Sequence, residues 1–258
     1  MTRRVLITGA TSGLGRELAL QLAREGCRLA LTGRRKDRLA EIAQAAQELG
    51  AEVLPLAGDV GDPACVRDHY AAIRAGFAGL DWAILNAGIS KSGSAREGFR
   101  AQDFRDVYEV NVFGMVNWIE AVLPDMLKAG RGAIAGVASV AGFRGVPRSG
   151  AYSSSKAAVI ALLESLRVDL RGTGVDVITI CPGFVRTELT SRWKPQDMPF
   201  LMEPEAAARR MIAGIKRKQR LVHFPWIFSA TVKYVVRNMP GFLYDRVASG
   251  ATYRRPNK

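Results

Sequence analysis

Short apolar segments alternate with segments of helical periodicity along most of this chain, and that alternation constrains the fold more than any other feature. The apolar segments, which we interpret as strands, lie at 4–10, 28–33, 52–60, 80–88, 132–142, 175–183 and 221–226. The segments with helical periodicity lie at 15–26, 38–50, 65–77, 103–128, 152–171 and 203–220. Strands that are apolar almost throughout are typical of a parallel sheet with helices on both faces. We therefore predict a Rossmann-type, doubly wound α/β sheet in a single domain over residues 1–258.

The cysteine content and the lack of long apolar runs indicate the compartment. Cys27, Cys65 and Cys181 lie far apart and lack metal-ligand spacing. We therefore expect reduced thiols, with neither a disulfide framework nor a metal site. No segment reaches the roughly 18 apolar residues that span a membrane, and the first strand begins at once, without a signal peptide. These features predict a cytoplasmic protein.

The first predicted strand breaks directly into the glycine-rich sequence TGATSGLG. Such glycines permit a tight turn in which backbone N–H groups approach a pyrophosphate closely, and the following helix presents its positive end to the same group. The turn therefore predicts a dinucleotide site, and a ligand-free turn is the alternative. The residues that we assign to this site are Gly9, Thr11, Ser12, Gly13, Leu14 and Gly15.

The end of the second predicted strand indicates which dinucleotide binds. A site for NAD(H) usually places an acid there to bond the ribose 2′-hydroxyl, whereas this chain has Arg34 and Arg35. Guanidinium groups pair with a 2′-phosphate, and Ser12 adds a hydroxyl donor. We therefore expect NADP(H) rather than NAD(H); a solvated arginine loop is the alternative.

Polar residues and glycines also lie at the ends of the third, fourth and fifth predicted strands. In open parallel sheets, ligands bind beyond the carboxyl ends of the strands. Asp59 is placed to accept a hydrogen bond from the adenine amino group. The residues assigned to the site for this reason are Asp59, Val60, Asn86, Ala87, Gly88 and Ser139.

Tyr152 and Lys156 are four residues apart in AYSSSKAAV, so on a helix they share one face. A tyrosine pKa of about 10 is too high for an efficient general acid or base near neutral pH. A neighbouring ammonium group favours the phenolate. Lys156 therefore makes Tyr152 a candidate proton carrier, whereas a plain helix start with capping serines is the alternative.

The order and identity of these elements resemble the short-chain dehydrogenase/reductase family over about residues 3–190. The matching elements are Thr8-Gly9-x-x-x-Gly13-x-Gly15, Asp59, Asn86-Ala87-Gly88, Asn111, Ser139, Tyr152-x-x-x-Lys156, Pro182-Gly183 and Thr187. Each is weak evidence by itself, but together and in this order they are specific.

The resemblance implies a role for each catalytic residue. Ser139 would bond to the substrate oxygen, Tyr152 would transfer the proton, and Lys156 would also hold the nicotinamide ribose. Asn111 would hold a water that links Lys156 to solvent, and Thr187 would bond the nicotinamide carboxamide. The further cofactor contacts that it implies are Pro182, Gly183, Val185 and Thr187. It also implies homodimers through the helices that carry Asn111 and Tyr152, or homotetramers.

We therefore expect an NADP(H)-dependent oxidoreductase that interconverts an alcohol and a ketone or aldehyde by hydride transfer. A non-catalytic NADP-binding regulator on the same fold is the alternative from another class. The four residues Asn111, Ser139, Tyr152 and Lys156 argue against it, because a sensor has no need for all of them.

Residues 189–220 are expected to form a lid over the substrate. The side chains expected to line it are Trp193, Met198, Phe200, Leu201 and Met202. A packed loop without substrate contact is the alternative. An apolar lid favours an apolar or lipid-like substrate, with small polar carbonyls or polyols as the second choice.

Residues 226–258 form a basic, amphipathic extension. The net charge of the chain is +13, and twelve Lys and Arg against two acids lie from Glu205 onward. The residues of the predicted helical stripe are Phe228, Val232, Val235, Val236 and Met239. Three alternatives remain open: packing on the substrate lobe, contact with an acidic membrane surface, or a dimer contact. Nucleic-acid binding lacks a recognition motif.

Overall fold

The computed structural model describes residues 2–191 and 193–252, and in this part of the chain seven parallel strands form one sheet. The strands are β1 (Arg4–Thr8), β2 (Arg28–Gly33), β3 (Val53–Ala57), β4 (Trp82–Leu85), β5 (Gly132–Val137), β6 (Val175–Pro182) and β7 (Leu221–Phe224). Their order in the sheet is β3-β2-β1-β4-β5-β6-β7. The chain turns outward in both directions from β1, so the prediction of a doubly wound parallel sheet is confirmed.

Helices cover both faces of this sheet. They are α1 (Gly13–Arg24), α2 (Lys36–Glu48), α3 (Pro63–Phe77), α4 (Ala101–Tyr108), α5 (Gly114–Ala129), α6 (Gly150–Asp169), α7 (Pro204–Lys216), α8 (Trp226–Ala230) and α9 (Gly241–Thr252). The buried faces of α1, α2 and α7 pack on one side of the sheet, and those of α3, α5 and α6 pack on the other. The central strands β1, β2, β4, β5 and β6 are therefore buried on both faces, which is why their sequences are apolar almost throughout. The edge strand β3 is only partly buried.

Several predicted strands end earlier than their apolar sequences suggested. Residues 9–10, 58–60, 86–88 and 138–142 leave the sheet at the carboxyl ends of β1, β3, β4 and β5. These segments form the crevice at the point where the strand order reverses. The apolar runs thus continue past the hydrogen-bonded strands because the loops that follow are partly buried as well.

The helix predicted over 103–128 is interrupted in its first half. A π-helical segment, Glu109–Phe113, separates α4 from α5, and Asn111 lies in it, fully buried. Such segments occur often at functional sites because they turn side chains out of the regular helical register.

The C-terminal extension packs on the domain with one face only. Phe228 and Val232 contact the hydrophobic core, while Val235 is 58% exposed. The assignment of Val235 to the same stripe is therefore wrong: residues 231–236 form a second π-helical segment, which shifts the helical phase. Residues 253–258 of the predicted extension lie outside the described part. No helix described here is long and apolar enough to cross a bilayer.

The loop between α6 and β6 offers a matched test of close backbone packing. Gly172 and Gly174 both have positive φ, at 84° and 83°. A Cβ on Gly174 would lie 1.9 Å from the carbonyl oxygen of Gly130, whereas one on Gly172 would meet nothing within 4 Å. We expect Gly172→Ala to cost about 1–2 kcal/mol through its φ alone. Gly174→Ala should cost a further ~1–3 kcal/mol through overlap, measured as a shift in urea midpoint. Equal costs for the two variants would contradict this packing.

Candidate functional site

A cleft of about 510 Å³ crosses the carboxyl ends of the central strands. It brings together residues that lie far apart in the sequence. The predicted site residues that line it are Gly9, Thr11, Ser12, Gly13, Leu14, Arg34, Arg35, Asp59, Val60, Asn86, Ala87, Gly88, Ser139, Tyr152, Lys156, Pro182, Gly183, Val185 and Thr187. Gly15 and Asn111 are the two predicted residues that do not line it.

The glycine-rich turn is held against the end of β4 by Asn86. The Asn86 side chain donates to the carbonyl oxygens of Thr8 at 3.0 Å and Gly9 at 3.3 Å. In return, the Thr8 hydroxyl accepts hydrogen bonds from the backbone N–H groups of Asn86 and Ala87. Gly15 does not line the cleft, but this close packing requires glycine there, because a Cβ would lie 2.2 Å from the Gly9 carbonyl oxygen.

At one end of the cleft, hydroxyl groups and a carboxylate fix Arg35. Its guanidinium donates to the hydroxyl oxygens of Thr11 at 3.0 Å and Ser12 at 2.8 Å, and to Glu188 at 2.8 Å. Arg34 is more exposed and lies 3.5 Å from Asp59. This end of the cleft therefore carries a concentration of guanidinium groups.

Glu188 and Arg38 were missed by the sequence reasoning. Arg38 lies on the first turn of α2 and also pairs with Glu188. Glu188 is separated from Arg35 by 153 residues, so no local spacing signals the contact.

Near the middle of the cleft lie Ser139, Tyr152 and Lys156. The Lys156 ammonium group donates to the carbonyl oxygen of Val137 at 2.8 Å and lies 5.8 Å from the centre of the Tyr152 ring. Ser139 follows β5, and its hydroxyl accepts a hydrogen bond from the backbone of Ala141 at 3.1 Å. A phenol, a hydroxyl and an ammonium group thus face one cleft.

Burial perturbs the ionisation of both titratable groups at this position. It lowers the pKa of Lys156 to about 8. Burial also raises the pKa of Tyr152 above its ordinary value, and interaction with the Ser139 hydroxyl acts in the opposite direction. Burial thus shifts both ionisation equilibria towards the neutral form, because a buried charge is costly, although a pKa of about 8 still leaves most of Lys156 protonated at pH 7.

Asn111 lies behind Lys156 and joins three elements. Its side chain donates to the Ile89 carbonyl oxygen and to the Ser155 hydroxyl, each at 3.0 Å, and accepts from the Ile89 backbone at 2.8 Å. Ser155 donates in turn to the carbonyl oxygen of Tyr152 at 2.8 Å. Ser155, which the sequence reasoning left unassigned, therefore couples the helix of Tyr152 to Asn111.

Aromatic side chains form a cluster that reaches the cleft at Trp193. Phe184 contacts Trp193 and Phe228, at centroid distances of 6.0 and 5.8 Å, and Phe228 contacts Phe200 at 6.2 Å. Of the five predicted lid residues, Trp193 alone lines the cleft, together with Leu189 of the same segment. Met198 is buried, and Met202 packs against the core and pairs with Val185.

Comparisons with known proteins identify the family of this chain. The model of the short chain dehydrogenase family matches residues 3–198. An uncharacterized oxidoreductase of Myxococcus xanthus is 42% identical over 246 residues, covering 95% of this chain and 96% of that protein. The 11-beta-hydroxysteroid dehydrogenase 1A of Arabidopsis thaliana is 34% identical over 249 residues, covering 90% of this chain and 71% of that protein. A crystal structure of a short chain dehydrogenase/reductase from Burkholderia phymatum in complex with NAD has a TM-score of 0.83 and 28% identity, covering 90% of this chain and 92% of that chain.

The lowered pKa of Lys156 predicts a pH-dependent stability. Between pH 8 and 10.5, the ordinary lysine value, the folded protein binds fewer protons than the unfolded chain. The free energy of unfolding should therefore rise with pH across this window relative to that of Lys156→Met, and the difference should be constant below pH 8. Urea titrations at several pH values measure it. Lys128→Met, at an exposed helix end, is the control for loss of a lysine, and parallel pH profiles for Lys156→Met and the unmodified protein would count against the prediction.

Proposed function

The chain belongs to the short-chain dehydrogenase/reductase family of oxidoreductases, and on that premise we propose that it interconverts an alcohol and a ketone or aldehyde with NADP(H). The observation that carries the proposal is the position of Ser139, Tyr152 and Lys156 in the cleft that begins at the glycine-rich turn. An acid–base side chain, a hydrogen-bond donor and a cation there suit the reduction of a carbonyl group.

The cleft suits a dinucleotide along its whole length. Gly9 and Gly13 have positive φ where the turn enters α1, and a Cβ on them would lie 2.8 Å from Ala87 and 3.0 Å from Thr187. Glycine therefore permits the tight turn that presents backbone N–H groups to a pyrophosphate. When bound, the nicotinamide would supply or accept the hydride. Arg34 and Arg35 support NADP(H) over NAD(H), because a 2′-phosphate forms charge-assisted hydrogen bonds with guanidinium groups. The Burkholderia relative carries NAD in its crystal structure, so cofactor preference needs its own measurement.

The proposed catalytic step is a proton transfer at the Tyr152 hydroxyl. In the direction of reduction, Tyr152 donates its proton to the substrate oxygen as negative charge develops there. Ser139 donates a hydrogen bond to the same oxygen. Lys156, when protonated, stabilises the phenolate that remains. Asn111 binds the backbone of Ile89, and Ser155 binds the backbone of Tyr152, so both fix the chain next to the catalytic side chains.

A non-catalytic NADP-binding regulator remains the alternative function. The presence of Ser139 and Tyr152 beside Lys156 in the cleft favours catalysis, because nucleotide binding alone has no need for all three. Turnover with any carbonyl compound would distinguish the two functions.

The surroundings of the cleft support an apolar substrate. Phe184, Trp193, Phe200 and Phe228 form a continuous aromatic cluster at the substrate end. Aromatic faces contribute large apolar contact areas to a binding site. The name of the Arabidopsis relative includes a hydroxysteroid, which agrees with this class. Small polar carbonyls or polyols are the second choice.

We also propose a homodimer, or a homotetramer built from it, through the faces of α5 and α6. Phe113, Val116 and Val168 are exposed on or beside these helices. Apolar side chains on a helix face without a partner in the monomer suit a self-complementary interface.

For the C-terminal extension we propose contact with an acidic membrane surface. Its exposed large apolar side chains are Trp226, Ile227, Tyr234, Val235, Phe242, Leu243 and Val247. Between 226 and 252, Lys233, Arg237 and Arg246 are opposed by Asp245 alone. A second copy of this surface would bring like charges together, whereas anionic headgroups complement it.

The proposed catalytic role of Tyr152 predicts an effect on turnover. Tyr152→Phe should lower kcat by about 10²–10⁴ because the proton carrier is lost, while NADPH binding is retained. NADPH oxidation across carbonyl compounds graded by length and polarity measures turnover, and NADPH fluorescence measures binding. Tyr70→Phe, which loses a hydrogen bond to Asp125 outside the cleft, is the matched control and should keep its turnover. Near-normal turnover by Tyr152→Phe would refute the assignment.

The proposed membrane contact of the C-terminal extension predicts binding to anionic vesicles. We expect the protein to float with phosphatidylglycerol vesicles and not with phosphatidylcholine vesicles. Trp226→Ser with Phe242→Ser, or Lys233→Gln with Arg237→Gln and Arg246→Gln, should each reduce flotation. These surface changes are preferable to truncation after Phe224, because removal of Phe228 and Val232 would uncover the core. The idea fails if the unmodified protein stays with the soluble fraction in anionic vesicles.

A further inference from the structure

Glu188 holds the guanidinium groups at the adenosine end of the cleft. One of its carboxylate oxygens accepts from Arg35 at 2.8 Å, and the other pairs with Arg38. The hydrogen bonds from Arg35 hold the pKa of the Glu188 carboxyl below its usual range, so it is charged at neutral pH. A negative group of the chain itself thus pairs with Arg35, one of the two arginines that the proposed function assigns to a 2′-phosphate.

The segment that carries Glu188 comes from the opposite side of the cleft. It follows β6, and Thr187 lies against the glycine-rich turn, where a Cβ on Gly13 would be 3.0 Å from its side chain. Glu188 extends this crossing from the turn to the start of α2, where Arg35 and Arg38 lie. The segment continues into Leu189 and Trp193, which line the substrate part of the cleft. Residues 183–191 and 193, which we call the strap, therefore connect the arginines with the aromatic side chains.

Arg35 stays in place whichever anion it binds. Thr11 and Ser12 hold its guanidinium through their hydroxyl groups, independently of Glu188. The Glu188 side chain is half exposed, so on release it enters water rather than the protein interior. Exchange of the carboxylate for another anion on Arg35 therefore requires little rearrangement.

We propose that Glu188 is a specificity-determining residue that competes with the ribose 2′-phosphate for Arg35. The inference rests on the proposed use of NADP(H) and deepens it. A phosphate group carries about −1.5 to −2 charges at pH 7 against −1 for the carboxylate, so it displaces Glu188 from Arg35. A nucleotide with a free 2′-hydroxyl leaves Glu188 paired.

The experiment compares 2′,5′-ADP with 5′-AMP as probes, because both occupy the adenosine end without involving the nicotinamide end. Their dissociation constants are measured calorimetrically on the full chain and on Glu188→Gln. We expect Glu188→Gln to bind 2′,5′-ADP about threefold to tenfold more tightly, the equivalent of one or two exposed ion pairs. Binding of 5′-AMP should be unchanged. The gain should shrink as salt is added, because exposed charges are screened.

Glu203→Gln is the matched control. Glu203 forms an ion pair of similar exposure with Arg186 of the same strap, at 2.9 Å, but does not line the cleft. It should leave both dissociation constants unchanged.

The outcomes separate this inference from the proposed function. If the unmodified protein prefers 2′,5′-ADP but Glu188→Gln binds it equally well or more weakly, Glu188 does not compete, and only this inference is overturned. If the unmodified protein binds 2′,5′-ADP no better than 5′-AMP, the NADP(H) preference fails and this inference fails with it. Tighter binding of 2′,5′-ADP by Glu203→Gln to the same extent would also overturn it.

Discussion

The hydrogen bonds between Asn86 and the end of β1 hold together the two strands on which the cleft depends. The Asn86 side chain donates a hydrogen bond to the backbone at the start of the glycine-rich turn. The Thr8 hydroxyl accepts hydrogen bonds from the backbone that leads from β4 into Gly88. Gly88 in turn lies where a Cβ would be 3.2 Å from the Asn111 side chain and 3.3 Å from the Lys156 ammonium group. One local junction therefore sets both the turn that faces a dinucleotide and the space in which Lys156 lies.

A second polar network continues from this junction into the helices. Asn111 bonds to the backbone of Ile89 and to Ser155, and Ser155 bonds to the backbone of Tyr152. Because these groups are buried, an unmade bond among them would cost more than a made bond contributes. The network thus fixes the position of the Tyr152 helix against α4 and α5. Lys156 is the costly member of this interior, which suits a group retained for chemistry rather than for stability.

The parts of the site that the sequence predicts are those that depend on local spacing. The glycine pattern and the four-residue interval between Tyr152 and Lys156 follow from one turn and one helix, so their placement needs no tertiary information. The pairing of Glu188 with Arg35 depends on how a loop crosses the cleft, and no spacing within one element encodes it. Ser155 looked like a helix-start hydroxyl, because its partner Asn111 is 44 residues away.

The fold shows the same division between local and tertiary information. The parallel sheet follows from repeated strand–helix units, and its prediction is confirmed. Strand ends were placed too late, because apolar residues continue into buried loops. The prediction that Val235 shares a helix face with Phe228 and Val232 was wrong, because a π-helical segment changes the angle between successive residues. No simple pattern in the sequence marks such a segment. Met198 and Met202 were predicted to line the lid, but Met198 is buried and Met202 packs against the core. The sequence does not distinguish apolar side chains that fill the domain from those that line a binding cleft.

The C-terminal extension lies outside the residues that the family model matches, yet it touches the cleft wall. A Cβ on Gly183 would lie 3.0 Å from Pro225 and 3.2 Å from Phe228. Exchange of this extension between relatives would therefore alter the wall of the cleft as well as the outer surface. Residues 226–252 are therefore not an independent tail, because Phe228 covers Gly183 and a change of its side chain also changes the wall of the cleft.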